Sequence, residues 1–388
     1  VNTATTYDAI VVGLGPAGST AAYEIASAGH RVLALDRERF PRYKVCGGAL
    51  SSRLDRVIGT TYHESVEATV RGLTFVYNGA EGFRVDADGP LAYFVMRDRF
   101  DVGLAERAAR AGAEIRYGES VRDVEETAAD VRVQTSQGTY RGRFLVGADG
   151  AHSRLARRLN PHPIPGAYGL EAEIEHRCAS NEVVLEMGAV PGGYGWVFPK
   201  HGGISIGIGG FRDADPQPKA AFERFVACQG ALRAVTLSTP VGYPIPVHTR
   251  GWRVATARIA LIGDAARLVD PFFGEGIYYG ILSGQRLGQT ITRQLDRGRV
   301  DLDAYVHWVE ADLVPEFAVA SRLASIAYGY PRLWYDAMRA HPDVIGWFYD
   351  VLRGSIRFQD LWARLCRNAF RLAPAALAGR VRAGLFAR

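Results

Sequence analysis

Six residues near the start of the chain, Gly13-Leu14-Gly15-Pro16-Ala17-Gly18, have the spacing of a phosphate-binding turn. Gly13 permits a tight turn out of a strand. Gly15 lets the backbone approach a pyrophosphate, and Gly18 lets the next helix pack close to a sheet. The helix that Pro16 and Ala17 open offers free N–H groups and the positive end of its dipole to the phosphates. Asp36, with Arg37 beside it, stands where an acid accepts hydrogen bonds from both hydroxyls of an adenosine ribose. An acid at this point favours an unphosphorylated ribose, hence FAD or NAD over NADP.

Two later segments favour FAD. Asp149-Gly150 closes a strand in FLVGADGAHS. Gly263 and Asp264 lie in LIGDAARLVDPFFGEGI, residues 261–277. Asp264 ends a strand there and can bond ribityl hydroxyls. Pro271, Gly274 and Gly276 let a second helix, running on through Ile277, begin against a flat ring. Its N–H groups suit the negative edge of a reduced flavin. An NAD enzyme has no use for this third element.

The elements that must position these residues follow from pattern. Residues 7–12 and 31–35 read as buried strands flanking a helix over Ser19 to Ala28. Residues 41–50 read as a turn-rich loop and helix start. The segments LTFVY, FRVDA and AYFVM within 71–95 alternate as strands do, and 98–111 reads as an amphipathic helix. Residues 113–117, 119–126, 130–135 and 139–141 suggest a meander, with a buried strand at 143–147. From 160 to 250 the pattern is β-rich. A strand at 257–262, a helix from Gly274 to Leu295 and a mostly helical remainder complete the chain.

These three elements, in this order, resemble the para-hydroxybenzoate hydroxylase superfamily of FAD proteins. Three further matches resemble the geranylgeranyl reductase family within it. They are PRYKVCGGAL at 41–50, RDRFD at 97–101, and the Y-x-W-x-F-P-K pattern at Tyr194, Trp196, Phe198, Pro199 and Lys200. The resemblance implies an α/β fold with α+β elements: a Rossmann-like FAD-binding domain, an inserted antiparallel substrate sheet and a helical C-terminal part. The expected division is 1–70, 96–160 and 255–298 for FAD, 71–95 and 161–254 for substrate, and 299–388 for the helical region. The resemblance implies FAD contacts at Asp36, Cys46, Gly47, Gly48, Ala49, Arg97, Val121 (through its backbone, on adenine), Asp264, Gly276 and Ile277. Tyr194 and Trp196 would line a substrate tunnel.

The implied activity is saturation of isolated double bonds in a geranylgeranyl or related polyprenyl chain. Hydride from reduced flavin N5 would be coupled to protonation, with NADPH or a ferredoxin-like protein as electron donor. Aromatic faces such as Tyr194, Trp196, Phe272 and Phe273 would stabilise a developing cation, by roughly 0.5–2 kcal/mol each. Cys46 is the candidate for positioning a proton or tuning the flavin; its bland alternative is a small residue packing the loop. A thiol, with an ordinary pKa of about 8.5, is a reluctant donor to an alkene. The competing reading is a flavin monooxygenase or halogenase of the same fold acting on a natural-product intermediate. A prenyl-lipid escort without activity would have no need to keep Cys46 and Asp264.

Composition narrows the field further. The 388 residues are 48% hydrophobic and 22% charged, with a net charge of +5. Disorder, coiled coil and collagen-like structure are excluded. Four cysteines without metal-ligand spacing point away from a protein-held metal. A polar N-terminus without a signal pattern makes a reduced, cytoplasmic setting the default expectation. Residues 361–388 carry six arginines and no acid, alongside apolar residues. Such a segment suits peripheral contact with an anionic membrane. Nothing in the sequence supports nucleic-acid binding.

Overall fold

The computed structural model describes residues 6–162, 166–174, 182–200, 202–210, 217–230 and 238–372. The apolar run of Thr6–Val12 is covered on both faces, which is why it does not alternate. It pairs in parallel with Val32–Asp36 on one side and Thr139–Gly147 on the other. Glu114–Tyr117 extends the first side, again in parallel. Ile259–Leu261 runs parallel to the end of Thr139–Gly147, and Val131–Thr135 and Val121–Glu126 continue antiparallel from its start. The expected strands at 139–141 and 143–147 are thus one strand. Its first half belongs to the meander and its second half to the parallel core. The carboxyl ends of four strands therefore converge, and the chain leaves them at Gly13, Arg37, Ala148 and Ile262. In open α/β sheets that edge is where ligands bind.

A second sheet has the order Val241–Ile245, Ala167–Ile174, Gly203–Gly210, Gly193–Lys200, Val184–Met187, Gly72–Tyr77, Phe83–Asp86. It is antiparallel except where Val184–Met187 meets Gly72–Tyr77. Its two faces differ. Leu170, Ala172, Ile174, Ile204, Ile206 and Ile208 pack against Phe222 and Phe225 of the helix Pro218–Cys228. The alternate residues, including Gly169, Glu171, Tyr194, Trp196, Phe198 and Gly209, line a cavity.

Ala49–Ser51, Ala92–Val95 and Val66–Val70 form a third, small sheet. Of the three alternating segments in 71–95, two join the large sheet and AYFVM joins this small one. Alternation marks a strand but does not say which partner it takes. The small sheet also turns the expected helix start near residue 50 into a strand. It holds the preceding Cys46–Gly48 loop, since Val95 N–H donates to Gly48 O at 3.0 Å.

The helices Val314–Gly329, Pro331–Ala340, Pro342–Leu352 and Phe358–Arg367 pack into one apolar cluster around Phe272. Tyr328, Phe348 and Phe358 are buried there and none lines the cavity. The aromatic tail is a cap over the core. Within the basic end, Arg364 and Arg371 pair with Asp350 and Asp343. Residues 373–388, which carry the rest of the expected membrane-contact segment, lie outside the described residues, as does Cys178. Among the described residues, no helix is long and apolar enough to cross a membrane.

Candidate active site

One cavity of about 1200 Å³ runs from the convergent strand ends to the inner face of the second sheet. Gly13, Gly15, Pro16, Ala17, Asp36, Arg37, Cys46 to Ala49, Arg97, Val121, Asp149, Gly263, Asp264, Gly274, Gly276 and Ile277 all line it, as do Tyr194 and Trp196. Of the residues expected to bind the cofactor, Gly18 stands behind the wall. Its role is close approach: a Cβ there would lie 1.8 Å from Gly13 O. Gly13 itself has φ +98°, and a Cβ on it would meet Ala148 O at 2.3 Å. The turn therefore closes only with glycine at both points.

Asp36 is buried and anchored from both sides. Leu14 N–H donates to its Oδ2 at 2.7 Å and Glu38 N–H to its Oδ1 at 2.9 Å. The helix Pro16–Ser27 carries no side-chain cap and no acid in its first turn. Its N-terminal N–H groups face the cavity unopposed. Beside Gly15 lies Arg42, whose Nη2 pairs with Asp101 at 3.1 Å and whose Nη1 is buried with no hydrogen-bond partner among the described residues. A buried guanidinium nitrogen without an acceptor is costly. A pyrophosphate at this turn supplies one. The residues present therefore fit FAD.

Arg97 opens the helix Arg97–Arg110 and is buried. It grips Asp101 twofold, through Nε and Nη2, each at 2.8 Å, and the Cys46 thiol lies close enough to act on its charge. Cys46 Sγ accepts from Gly48 N–H at 3.4 Å. Lys200 is a clamp on this loop: its Nζ donates to Gly47 O at 2.7 Å and Val95 O at 2.9 Å. Burial pushes the Lys200 ammonium down from its ordinary range. Burial likewise lowers Lys44, to about 8, where it sits over the Tyr243 ring. Asp264 is raised by burial, an effect opposed by Lys44 and Arg97.

The aromatic wall depends on the glycine-rich strand beside it. Trp196 pairs with Gly207 and Tyr194 with Gly209 across the sheet. The Trp196 indole lies on Gly207, where a Cβ would come within 2.2 Å of the ring. Its Nε1 donates to Ser205 Oγ at 3.2 Å, and Ser205 Oγ donates to Glu171 Oε1 at 2.7 Å. Burial raises the Glu171 carboxyl to about 7. Tyr194 OH donates to Phe273 O at 2.8 Å, and burial raises its phenol. Gly207→Ala is expected to displace the indole and cost about 1–3 kcal/mol by overpacking. Urea unfolding and tryptophan fluorescence will register both effects; an unshifted midpoint would show that the ring has room.

One expectation changes. Phe273 lines the cavity, but Phe272 does not. It is buried among Tyr328, Phe348 and Phe358, stacked on Phe348 at 5.3 Å. Asp270 explains the difference, because its carboxylate accepts from Phe272, Phe273 and Glu275 N–H groups and folds the turn. Sequence reasoning also missed Glu171, Lys44 and Arg42. The signal for Glu171 was the alternation of acids with apolar residues in the strand AYGLEAEI, which carries Glu171 and Glu173 on one face.

The fold and this site define an FAD-dependent oxidoreductase. The FAD binding domain family matches residues 6–176. A digeranylgeranylglycerophospholipid reductase of Methanopyrus kandleri is 31% identical over 92% of this chain and 99% of its own. A geranylgeranyl diphosphate reductase of Rhodobacter capsulatus is 32% identical over 76% of this chain and 77% of its own. The chain belongs to the geranylgeranyl reductase family of FAD-dependent oxidoreductases. The fold matches a geranylgeranyl bacteriochlorophyll reductase-like protein of Thermoplasma acidophilum, with a TM-score of 0.72 and 24% identity over 82% of this chain and 88% of that one. Flavin-dependent halogenases share the fold as well.

Proposed function

We propose that this protein saturates isolated C=C bonds of a geranylgeranyl or related polyprenyl chain. The observation that carries the reading is the continuity of one cavity, from the dinucleotide turn to a wall of Tyr194, Trp196 and Phe198. The names of its relatives support the same substrate class. When bound and reduced, FAD supplies the hydride. The glycine turn, Asp36 and Arg42 would hold its ADP half, with the Val121 backbone at the adenine. Asp264, Gly276 and Ile277 would hold the ribityl and ring. Cys46 to Ala49 and Arg97 would lie against the flavin, with Cys46 on a loop that Lys200 fixes.

Tyr194 and Trp196 would orient the alkene, exclude water and face the positive charge that develops on protonation. The electron donor is NADPH or a ferredoxin-like protein. The substrate's lipid character suits a cytoplasmic protein that touches the membrane at its surface through the basic C-terminal end.

The test is anaerobic. Flavin reduced by dithionite in the purified protein should be reoxidised by geranylgeranyl diphosphate or a geranylgeranylated lipid, at a rate that saturates with substrate. Flavin that stays reduced until oxygen enters, and is then consumed with oxygenation or halogenation of another substrate, would move the assignment to the monooxygenase branch. Trp196→Ala should lower the anaerobic rate at least tenfold while leaving the flavin content intact. An unchanged rate would remove the aromatic wall from the mechanism.

A further inference from the structure

We propose that Glu171 is the acid that supplies the proton for alkene saturation; this rests on the prenyl-reductase reading above. Glu171 lines the cavity in the same cross-strand row as Gly207 and Trp196. Because Gly207 has no side chain, nothing on the middle strand of that row stands between the carboxyl and the indole that covers it. Ser205 Oγ holds Oε1 at 2.7 Å and is itself held by Trp196 Nε1. The other carboxyl oxygen has no hydrogen-bond partner among the described residues. The structural carboxylates Asp36 and Asp270 accept two and three backbone N–H bonds, whereas Glu171 accepts a single hydroxyl. None of the ion pairs among the described residues includes Glu171.

The groups that face it come from every neighbouring element. Ser205 is on the adjacent strand, Lys200 on the next, Glu173 on its own strand, and Tyr43 and Lys44 on the loop opposite. Burial is the largest influence and keeps Glu171 protonated to about pH 7; Glu173 adds to it, and Ser205, Lys200 and Lys44 oppose it. This environment suits a proton donor at neutral pH. It holds the acid neutral before transfer and offers a hydroxyl and two ammonium groups to the carboxylate afterwards.

The step balances. The C=C π bond breaks. Hydride from the reduced flavin forms one C–H bond, and the Glu171 O–H proton forms the other. The flavin is oxidised by two electrons, and Glu171 is left as a carboxylate that water reprotonates. Positive charge develops at the other alkene carbon, the one that receives the hydride, and the Trp196 face stabilises it. A carboxyl in this setting is a stronger acid than an ordinary thiol at about 8.5. Cys46 is left with the flavin-side loop.

The experiment compares wild type, Glu171→Gln, Cys46→Ser and Lys44→Met in single-turnover reduction of geranylgeranyl diphosphate across pH. The wild-type rate should fall above about pH 7. Glu171→Gln should lose that limb and slow by a factor of about 10²–10⁴. Lys44→Met and Cys46→Ser should keep the limb. A second readout needs no turnover: infrared titration of the oxidised holoprotein should show a protonated carboxyl band that disappears near pH 7 and is missing in Glu171→Gln. A wild-type product formed with the same rate and the same limb in Glu171→Gln overturns the assignment alone. No saturated product from wild type overturns the prenyl-reductase reading and the assignment with it. An infrared band that persists in Glu171→Gln overturns the protonated state on which the assignment depends.

Discussion

Asp101→Leu is expected to lose about 3–5 kcal/mol of folding stability, the scale for removing one partner of a buried ion pair. Asp101 is fully buried and holds two guanidinium groups, Arg97 and Arg42, whose side chains are 9% and 16% exposed. Leucine would match its bulk and leave both cations uncompensated. The damage should extend beyond stability. Arg97 reaches Cys46, and Arg42 stands beside Gly15. Both ends of the cofactor cradle would therefore loosen together. Urea unfolding with and without added FAD measures this. The double variant Arg97→Met/Asp101→Leu should recover part of the loss, because it removes a charge together with its partner. A loss below about 1 kcal/mol in the single variant would mean that water reaches the cluster and screens it.

Asp36→Ala is expected to yield protein that folds but leaves purification without flavin. The carboxylate fixes the glycine turn through Leu14 N–H and the next loop through Glu38 N–H. Leu14 is fully buried, so its N–H would lose its acceptor with no water to replace it, at about 1–3 kcal/mol. The ribose hydroxyls lose charged acceptors as well, each bond being worth about 1.5–3 kcal/mol. The combined effect on FAD affinity should be on the order of a hundredfold or more. The flavin-to-protein ratio after gel filtration, followed by titration with FAD, gives the number. Full flavin content in the variant would exclude Asp36 from cofactor binding.

The cofactor half of the site was readable because its signals are local. Gly13, Gly18 and Asp36 are set by backbone geometry within one strand-helix-strand unit, and each leaves a residue-type requirement in the sequence. The aromatic wall was readable only in part. Tyr194 and Trp196 alternate on a strand, so a shared face follows from pleat alone. What lies opposite them does not. The Trp196–Ser205–Glu171 chain joins three strands, and Lys200 reaches Gly47 across 153 positions. Such contacts depend on strand order and register, which period-two patterns do not carry. Phe272 shows the converse. It sits in the same stretch as Phe273, yet the turn built on Asp270 sends one ring to the cavity and the other into the helical cap. Two adjacent aromatics on a turn give no clue to which is which.

The central claim, a reductase acting on isolated alkenes, is tested most directly by the mass of the product. The protein is loaded with FAD, reduced without oxygen and given a geranylgeranyl substrate in deuterated water. The account predicts a product heavier by one added pair of deuterium atoms for each double bond consumed, since both the acid proton and the reduced flavin N5–H exchange with solvent, and no oxygen. A product that appears only with oxygen and carries an oxygen or halogen atom would contradict it.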